Sequence, residues 1–535
     1  MKTRFFILFS FFSILFILLG WKLYALQIDK GALYSEKAAA RDELADRQIL
    51  RRGQILFTDR NGGSIPVALN KEFPHIVAVP KAMKDAVGAA RALAPLVGID
   101  EKRLITAFSA TSSQYYSLVD KASSETVDAV KALGIPGIEI RDSQYRYYPF
   151  ESLAAQLLGF VGKTDEKPDP VGLYGLEKLD DIKLASGEDV RLTIDRNLQA
   201  EAEQTLSKLI TEHKASGGTI LIEEPKTGKI LAMASAPSFD PNEYGKYEFK
   251  TFMNPAVQAV YEPGSVFKPL TMSAGIDSGT FTPDTTYIDT GSVTLNGKKI
   301  TNWDRKAHGK ITMTGIIEDS VNTGAIWAEQ KMGRTIFRNF LKTIGFGAPT
   351  NIDLPDEVNG SINNLERKNA QDIDYATASY GQGTSVTPVQ LISAFSAIAN
   401  GGLLMRPYVH ANSAPYVVRR VMSADTAQKV TKMMEVAVIK NVLADIPQYR
   451  VAGKTGTAFI PEKGKYSETD LIHSYVGFAP AGNAQFVILM KLEKPDKPLA
   501  GATVVPKFKD LAQFVLNYYN IPPDNPTADA TSISQ

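Results

Sequence analysis

Ser265 and Lys268 stand three residues apart in the stretch YEPGSVFKPLT, residues 261–271. On a helix that spacing puts both side chains on one face, with about 5–6 Å between Cβ atoms. Pro263-Gly264 before them is a turn signal. The apolar run after them, to Ile276, reads as a buried helix ended by Asp277-Ser278-Gly279. Ser265 is therefore expected at the helix N-terminus, where the dipole disfavours a protonated lysine. Burial pushes a lysine the same way, towards the neutral amine. A neutral lysine beside a serine hydroxyl is a general base next to a weak nucleophile, one way a serine is activated. Pro269 fits only because it falls in the first turn, where no intrahelical donor is lost. No other lysine in the chain has a serine three residues before it.

Two further motifs follow along the chain. Ser320 and Asn322 form an S-x-N in a polar gap between two apolar helical stretches, a cleft-loop pattern. A second S-x-N, Ser361 to Asn363, reads as a surface turn. Lys454-Thr455-Gly456-Thr457 lies on an expected strand, where Gly456 allows a ligand close to the backbone. A second K-T-G begins at Lys226, and the bare tripeptide does not separate the two copies. Order does. S-x-x-K, then S-x-N, then K-T-G is the motif set of the serine penicillin-recognising enzymes. Lys454 keeps that order and Lys226 breaks it.

The rest of the composition narrows the field. With 59 basic and 58 acidic residues the formal net charge is +1. A nucleic-acid binder would show a basic excess. There is no cysteine, which removes disulfides, thiolate catalysis and Cys-type zinc sites. The five histidines show no H-E-x-x-H spacing, so a zincin is out, and none marks itself as a triad member. GFVGKT, residues 159–164, lacks the first glycine and the following helix of a P-loop.

Several elements must position these motifs. Residues 5–21 are apolar apart from two serines and a glycine, and residues 23–26 extend the run. That fits the roughly 17–25 residues that span a bilayer. Lys2 and Arg4 precede the run, so the expected topology is a single-pass inner-membrane anchor with its N-terminus in the cytoplasm and the remainder outside. An alanine-rich charged stretch to about Ile49 reads as helix, residues 53–57 as strand, and residues 59–63 as a turn. Residues 81–97 and 123–133 have helical periodicity, and residues 115–119 and 138–145 strand character. This region is an α+β module without a catalytic constellation. From residue 190 the pattern shifts to a strand, a helix over residues 197–213, and a hairpin around Lys226. The polar end of the chain, PPDNPTADATSISQ, is expected to be disordered.

The chain resembles the class B penicillin-binding proteins along nearly its whole length. RRGQILFTDRNG, YRYYPFESLAAQLLGFVG, GLYGLEKLDD, LTIDRNLQ, KTGKILAMASAPSFDPN, EPGSVFKP, NWDRKAHG, SVN, YGQGTSVTPVQL, GKTGTA and SYVGFAP match that family's segments. The asparagine of S-x-N and HSYVGFAP look more like the division-type (septal) branch than the elongation branch. Tyr145, opening YRYYP, departs from the family's usual arginine. The resemblance implies an α+β pedestal, residues 28–190, after an anchor, residues 1–27. It implies an α/β transpeptidase domain of serine β-lactamase-like fold, an antiparallel sheet flanked by helices, over residues 191–520, and a tail, residues 521–535. It implies a peptidoglycan D,D-transpeptidase that cross-links stem peptides and is trapped by β-lactams. Ser265 would attack the D-Ala-D-Ala carbonyl and Lys268 take its proton. Ser320 would relay a proton, Asn322 hold Lys268 and the substrate amide, and Lys454 shape the field over Ser320. Thr455 and Thr457, with Gly456 between them, would meet the substrate carboxylate, and the N–H groups of Ser265 and Thr457 form the oxyanion hole. No metal or diffusible cofactor is implied. The implied partners are a membrane glycan polymerase of the shape-elongation-division class and divisome proteins.

Rival classes are a D,D-carboxypeptidase or β-lactamase, a silent β-lactam sensor, and a bifunctional polymerase. The long first module argues against the first, and the full motif set against the second. The space before residue 190 is too short for the third. The two K-T-G copies give a direct test. Lys226→Ala should fold and keep its β-lactam acylation rate, since exposed turn substitutions usually change stability by no more than about ±0.5 kcal/mol. Lys454→Ala should fold and lose most of that rate. Second-order acylation with a melting curve for each variant decides, and a slow, folded Lys226→Ala would reverse the assignment.

Overall fold

The computed structural model describes residues 15, 16, 19, 21, 22, 52–109, 115–164, 170–442, 444–462 and 464–525. The expected anchor and the helix before Ile49 fall almost wholly outside these. Among the described residues no helix is long and apolar enough to cross a membrane.

The first module is a twisted sheet with helices on one face. Strand β1 (Ile55–Thr58) leads into a turn where Asp59 Oδ1 accepts the N–H groups of Asn61 and Gly63, each at 2.8 Å. Strand β2 (Ser64–Ala78) returns antiparallel to it. Helices α1 (Ala86–Val97) and α2 (Glu101–Ser109), strand β3 (Tyr116–Val119), helix α3 (Ser124–Ala132) and strand β4 (Ile138–Tyr147) complete the layer. Its core is Ile76, Ala78, Ala90, Leu93, Leu104 and Phe108. The helix expected over residues 81–97 is broken, because the Asp85 carboxylate accepts from Gly88 N and starts a new helix there.

Short helices α4 (Gly175–Leu179) and α5 (Asp181–Ala185) precede strand β5 (Val190–Asp195), which pairs in parallel with β1. The expected boundary at residue 190 thus meets a strand bonded into the first sheet. Asp195 then caps helix α6 (Arg196–His213), accepting from Asn197 N and Leu198 N. The hairpin β6 (Gly217–Glu224) and β7 (Lys229–Ala236) follows.

The second module is built on one antiparallel sheet. Helices α7 (Lys268–Asp277), α8 (Met313–Glu318), α9 (Asn322–Met332), α10 (Pro388–Ala399) and α11 (Ala424–Asn441) come before its last three strands. Those strands are β8 (Ala452–Glu462), β9 (Lys465–Ala479) and β10 (Phe486–Glu493), and helix α12 (Val504–Tyr518) closes the chain. The strand order is β8-β9-β10-β6-β7. Alternate residues face opposite sides. Ile220, Ile488 and Met490 pack with Leu206 of α6 and Phe508 of α12. Leu221, Val487 and Leu489 pack with Leu391 and Phe395 of α10. Burial on both faces explains why β6 and β10 read as unbroken apolar runs. The tail expected to be disordered from Pro522 is tied down at its start. Asp524 accepts from Arg450 N at 2.8 Å and Nε at 3.0 Å, and Asn525 N donates to Gln448 O. Residues 526–535 lie outside the described residues.

Ionic contacts brace the first module and tie it to the second. Glu177, fully buried, accepts from Arg52 Nη2 at 2.6 Å and from Arg146 Nε at 2.6 Å. Tyr145, the departure in YRYYP, donates to Asp120 instead, at 2.9 Å. His410 lies between two carboxylates, with Nδ1 2.7 Å from Asp353 and Nε2 2.7 Å from Asp180. Burial opposes the charge on His410, but hydrogen bonds to Asp180 and Asp353 outweigh it and raise its pKa from 6.5 to about 9. A raised histidine pKa contributes stability that is full below the unfolded value. That stability should be lost as pH rises from 6.5 through about 9. Chemical denaturation across this window should show the stability difference between the parent chain and His410→Gln shrinking as pH rises. An equal slope in both would remove His410 from the account.

Candidate active site

The serine turn is made by close backbone contact. Gly264–Phe267 form one 3-10 turn that runs straight into α7. Gly264 has φ +63°, and its N–H donates to Gly381 O at 3.0 Å. A Cβ on Gly456 would stand 2.7 Å from Pro263 O and 3.0 Å from Val266 Cγ1. Gly456 is therefore needed for the approach of β8 to the serine turn. Its neighbours Lys454, Thr455 and Thr457 line the cleft.

Lys268 is the hub. It is fully buried, and every residue from it to Ile276 is buried with it. Its Nζ lies 3.0 Å from Ser265 Oγ, 3.1 Å from Ser320 Oγ, 2.5 Å from Ser320 O and 2.8 Å from Asn322 Oδ1. Ser320 sits in the link between α8 and α9 with φ +55°, a left-handed conformation. That conformation costs a non-glycine residue roughly 1–2 kcal/mol. It is held there while both its oxygens face Lys268. Asn322 is fixed from its other end, Nδ2 donating to Thr301 O at 3.1 Å. Lys454, on edge strand β8, donates to Ser320 Oγ at 3.0 Å and reaches Thr455 O at 3.2 Å. Ser320 Oγ thus stands between two lysines.

Both lysines are driven towards the neutral amine. Burial lowers Lys268 well below 10.5, and the nearby charge of Lys454 adds to the effect. Burial alone lowers Lys454 to about 7. Lys268 carries both causes.

A cleft of about 1000 Å³ opens over this cluster. Ser265, Ser320, Asn322, Lys454, Thr455 and Thr457 line it, and no histidine is among its described lining residues. The other copies of the motifs lie elsewhere. Lys226 is in the exposed β6–β7 turn and donates to Asn483, and Ser361 is bridged to Ser385.

Supporting residues escaped the sequence reading. Asp289 is buried and accepts from Thr323 Oγ1 at 2.6 Å and Asn302 Nδ2 at 2.8 Å, bracing the start of α9. Glu262, next to the serine turn, accepts from Tyr466 Oη at 2.9 Å. Glu262 and Asn302 lie inside EPGSVFKP and NWDRKAHG, but their partners are up to about two hundred residues away, and nothing local marks them.

An antiparallel sheet between helices, with a serine-lysine-serine-lysine cluster at its edge, defines a penicillin-recognising serine enzyme. The comparisons with known proteins are more specific. Residues 218–513 match the penicillin binding protein transpeptidase domain, and residues 50–220 the penicillin-binding protein dimerisation domain. Stage V sporulation protein D of Bacillus subtilis is 30% identical over 490 residues, covering 83% of this chain and 74% of the relative. Peptidoglycan D,D-transpeptidase FtsI of Escherichia coli K12 is 28% identical over 522 residues, covering 90% and 87%. The crystal structure of penicillin binding protein 3 from Mycobacterium tuberculosis with aztreonam superposes with a TM-score of 0.69 at 26% identity, covering 89% of this chain and 97% of that one. The chain belongs to the penicillin-binding protein transpeptidase family, in its class B, division-type branch.

Asn322→Asp tests the assignment of the base. A carboxylate in place of the amide oxygen, 2.8 Å from Nζ, would favour the ammonium form of Lys268. The neutral base would then be reached only at higher pH. The acid limb of the pH profile for β-lactam acylation should move upward, and a limb that stays in place would show that Lys268 is not the titrating group.

Proposed function

We propose that this chain is a peptidoglycan D,D-transpeptidase that joins stem peptides through an acyl-enzyme on Ser265. The observation that carries the reading is the position of Lys268 Nζ, within 3.1 Å of Ser265 Oγ, Ser320 Oγ and Asn322 Oδ1. Neutral Lys268 takes the Ser265 hydroxyl proton as Oγ attacks the D-Ala-D-Ala carbonyl. The tetrahedral oxyanion sits on the N–H groups of Ser265 and Thr457, where losing one donor typically costs about 10²–10³ in rate. The C–N bond breaks as a proton passes through Ser320 to the departing D-alanine amine. Lys454 keeps Ser320 polarised, and the hydroxyls of Thr455 and Thr457 face the terminal carboxylate. An amine of a neighbouring stem peptide then attacks the ester, gives its proton back along the same path, and frees Ser265. A β-lactam carries the same amide and carboxylate in a ring whose leaving group stays attached, so the ester persists.

The finer assignments rest on the sequence. S-x-N with asparagine and the similarity to FtsI favour septal wall synthesis. The apolar run over residues 5–26 favours a single anchor, with a membrane glycan polymerase and divisome proteins as partners. Labelling with a fluorescent β-lactam followed by peptide mapping tests the central claim. The adduct should fall on Ser265 and vanish in Ser265→Ala. An adduct on Ser320, or full labelling of Ser265→Ala, would sink it.

A further inference from the structure

The segment between β10 and α12 forms one wall of the cleft, with Pro495, Leu499 and Ala500 among its lining residues. It ends in a 3-10 turn, Ala500–Ala502, seated against β8. Ala500 N donates to Thr457 Oγ1 at 3.3 Å. Thr503 closes the turn from below, its N–H and its hydroxyl both donating to Ala500 O, at 3.1 Å and 3.3 Å. Thr503 Oγ1 in turn lies 2.8 Å from His473 Nδ1. His473 is directly opposite Thr457 in the β8–β9 ladder. Directly opposite residues project to the same face. The chain Thr457, Ala500, Thr503, His473 therefore closes on itself.

Proton counting shows how this ring leaves the Thr457 hydroxyl. A threonine hydroxyl has one proton and two acceptor lone pairs. The single Thr503 proton has two acceptors in reach, Ala500 O at 3.3 Å and His473 Nδ1 at 2.8 Å, and with Ala500 O already taking the Thr503 N–H either tautomer of His473 leaves Thr503 bonded on both sides. Burial, and after it the nearby His213, lower His473 to about 4 against a hydrogen bond to the Pro498 carbonyl, so the ring is neutral at working pH. At the other end, Ala500 N occupies an acceptor site of Thr457 Oγ1. No described acceptor takes the Thr457 proton, and the open side of this hydroxyl is the cleft. His473, Thr503 and Ala500 are at most 1% exposed. Polar groups so buried are costly unless bonded, so the arrangement resists rotation.

We propose that His473 is a positioning residue for acyl transfer: through Thr503 and Ala500 it turns the Thr457 hydroxyl proton into the cleft, towards the carboxylate of the donor peptide or β-lactam. This rests on the reading of Thr457 as a carboxylate donor given above. A residue with only a packing role would alter stability and leave carboxylate selectivity alone. The discriminating quantity is the ratio of acylation rates for a penicillin and its methyl ester, read by intact mass on the full chain with a melting curve for each variant. Thr503→Val should lower that ratio about tenfold, the order of one hydrogen bond to a charged group, with the ester rate little changed. Thr503→Ser, which keeps the hydroxyl, should restore it. His473→Leu should lose selectivity, and His473→Asn, which keeps a polar amide near the Nδ1 position, should retain most of it. Thr503→Val added to Thr457→Val should cost nothing more. A ratio that holds in Thr503→Val and His473→Leu but collapses in Thr457→Val would overturn the positioning role and leave the carboxylate reading intact. A ratio that holds in Thr457→Val would overturn the carboxylate reading itself, and the positioning role with it. If Thr503→Val does not fold, the His473→Leu and His473→Asn pair decides between the same outcomes.

Discussion

The site depends on a lysine buried without a carboxylate within hydrogen-bond distance. The acceptors around Lys268 Nζ are two serine hydroxyls, a serine carbonyl and an asparagine amide, all neutral. A carboxylate there would lock the lysine as an ammonium, and an apolar pocket would leave its donors unpaired. Neutral acceptors in a buried setting hold the amine in place without paying for its charge. Lys454 adds repulsion from the far side of Ser320. The result is a base poised against a serine that has no histidine to help it.

Three separate elements must meet for this to work, and each arrives by a different device. The 3-10 turn running into α7 brings Ser265 and Lys268 together by helical spacing, and the all-round burial of α7 seals it among α8, α9 and α11. The link from α8 to α9 delivers Ser320 in a left-handed conformation, braced by Asp289, Asn302 and Thr323 behind it. Strand β8 approaches the serine turn closely because Gly456 presents no side chain to Pro263 O and Val266, and Gly264 none to Thr457 O. A Cβ on Gly456 would stand 2.7 Å from Pro263 O and force the strand next to Lys454 to shift.

The first module is joined to this machinery through charge and ring contacts. His410 of the second module sits between Asp353 and Asp180, the latter in the first module. Arg60, in the turn after β1, donates to Tyr518 O at 2.7 Å and lies 5.4 Å from the Tyr518 ring centroid. Tyr518 ends α12, the helix that begins next to the turn seated on Thr457. One helix therefore touches the first module at one end and the cleft wall at the other. Within the first module, breaking the buried Glu177 pair with Arg52 and Arg146 costs about 3–5 kcal/mol by stranding the charges left behind. The apolar core also runs across both modules, Ile55, Phe57 and Ile194 clustering with Leu221 and Leu391.

Much of this protein was legible in its residues because the signals were local. The S-x-x-K pair lies within one helical turn, the K-T-G on one strand, and the hairpin around Lys226 between two apolar runs. Asp195, Ser123 and Thr387 cap helices that begin within a residue or two of them. Motif order then chose Lys454 over Lys226, which local sequence could not. What the residues did not contain was anything set by distant partners. Nothing in YEPGS says that Glu262 meets Tyr466, and nothing in HSYVGF says that His473 reaches Thr503. The left-handed Ser320 and the contact of Gly456 with the serine turn were equally hidden, because both are consequences of how closely α7, the α8–α9 link and β8 pack. Spacing along the chain determines which side chains share a face. Only the tertiary packing decides which faces meet, and here that meeting lowers the lysine pKa values, orients the hydroxyls and makes the cleft.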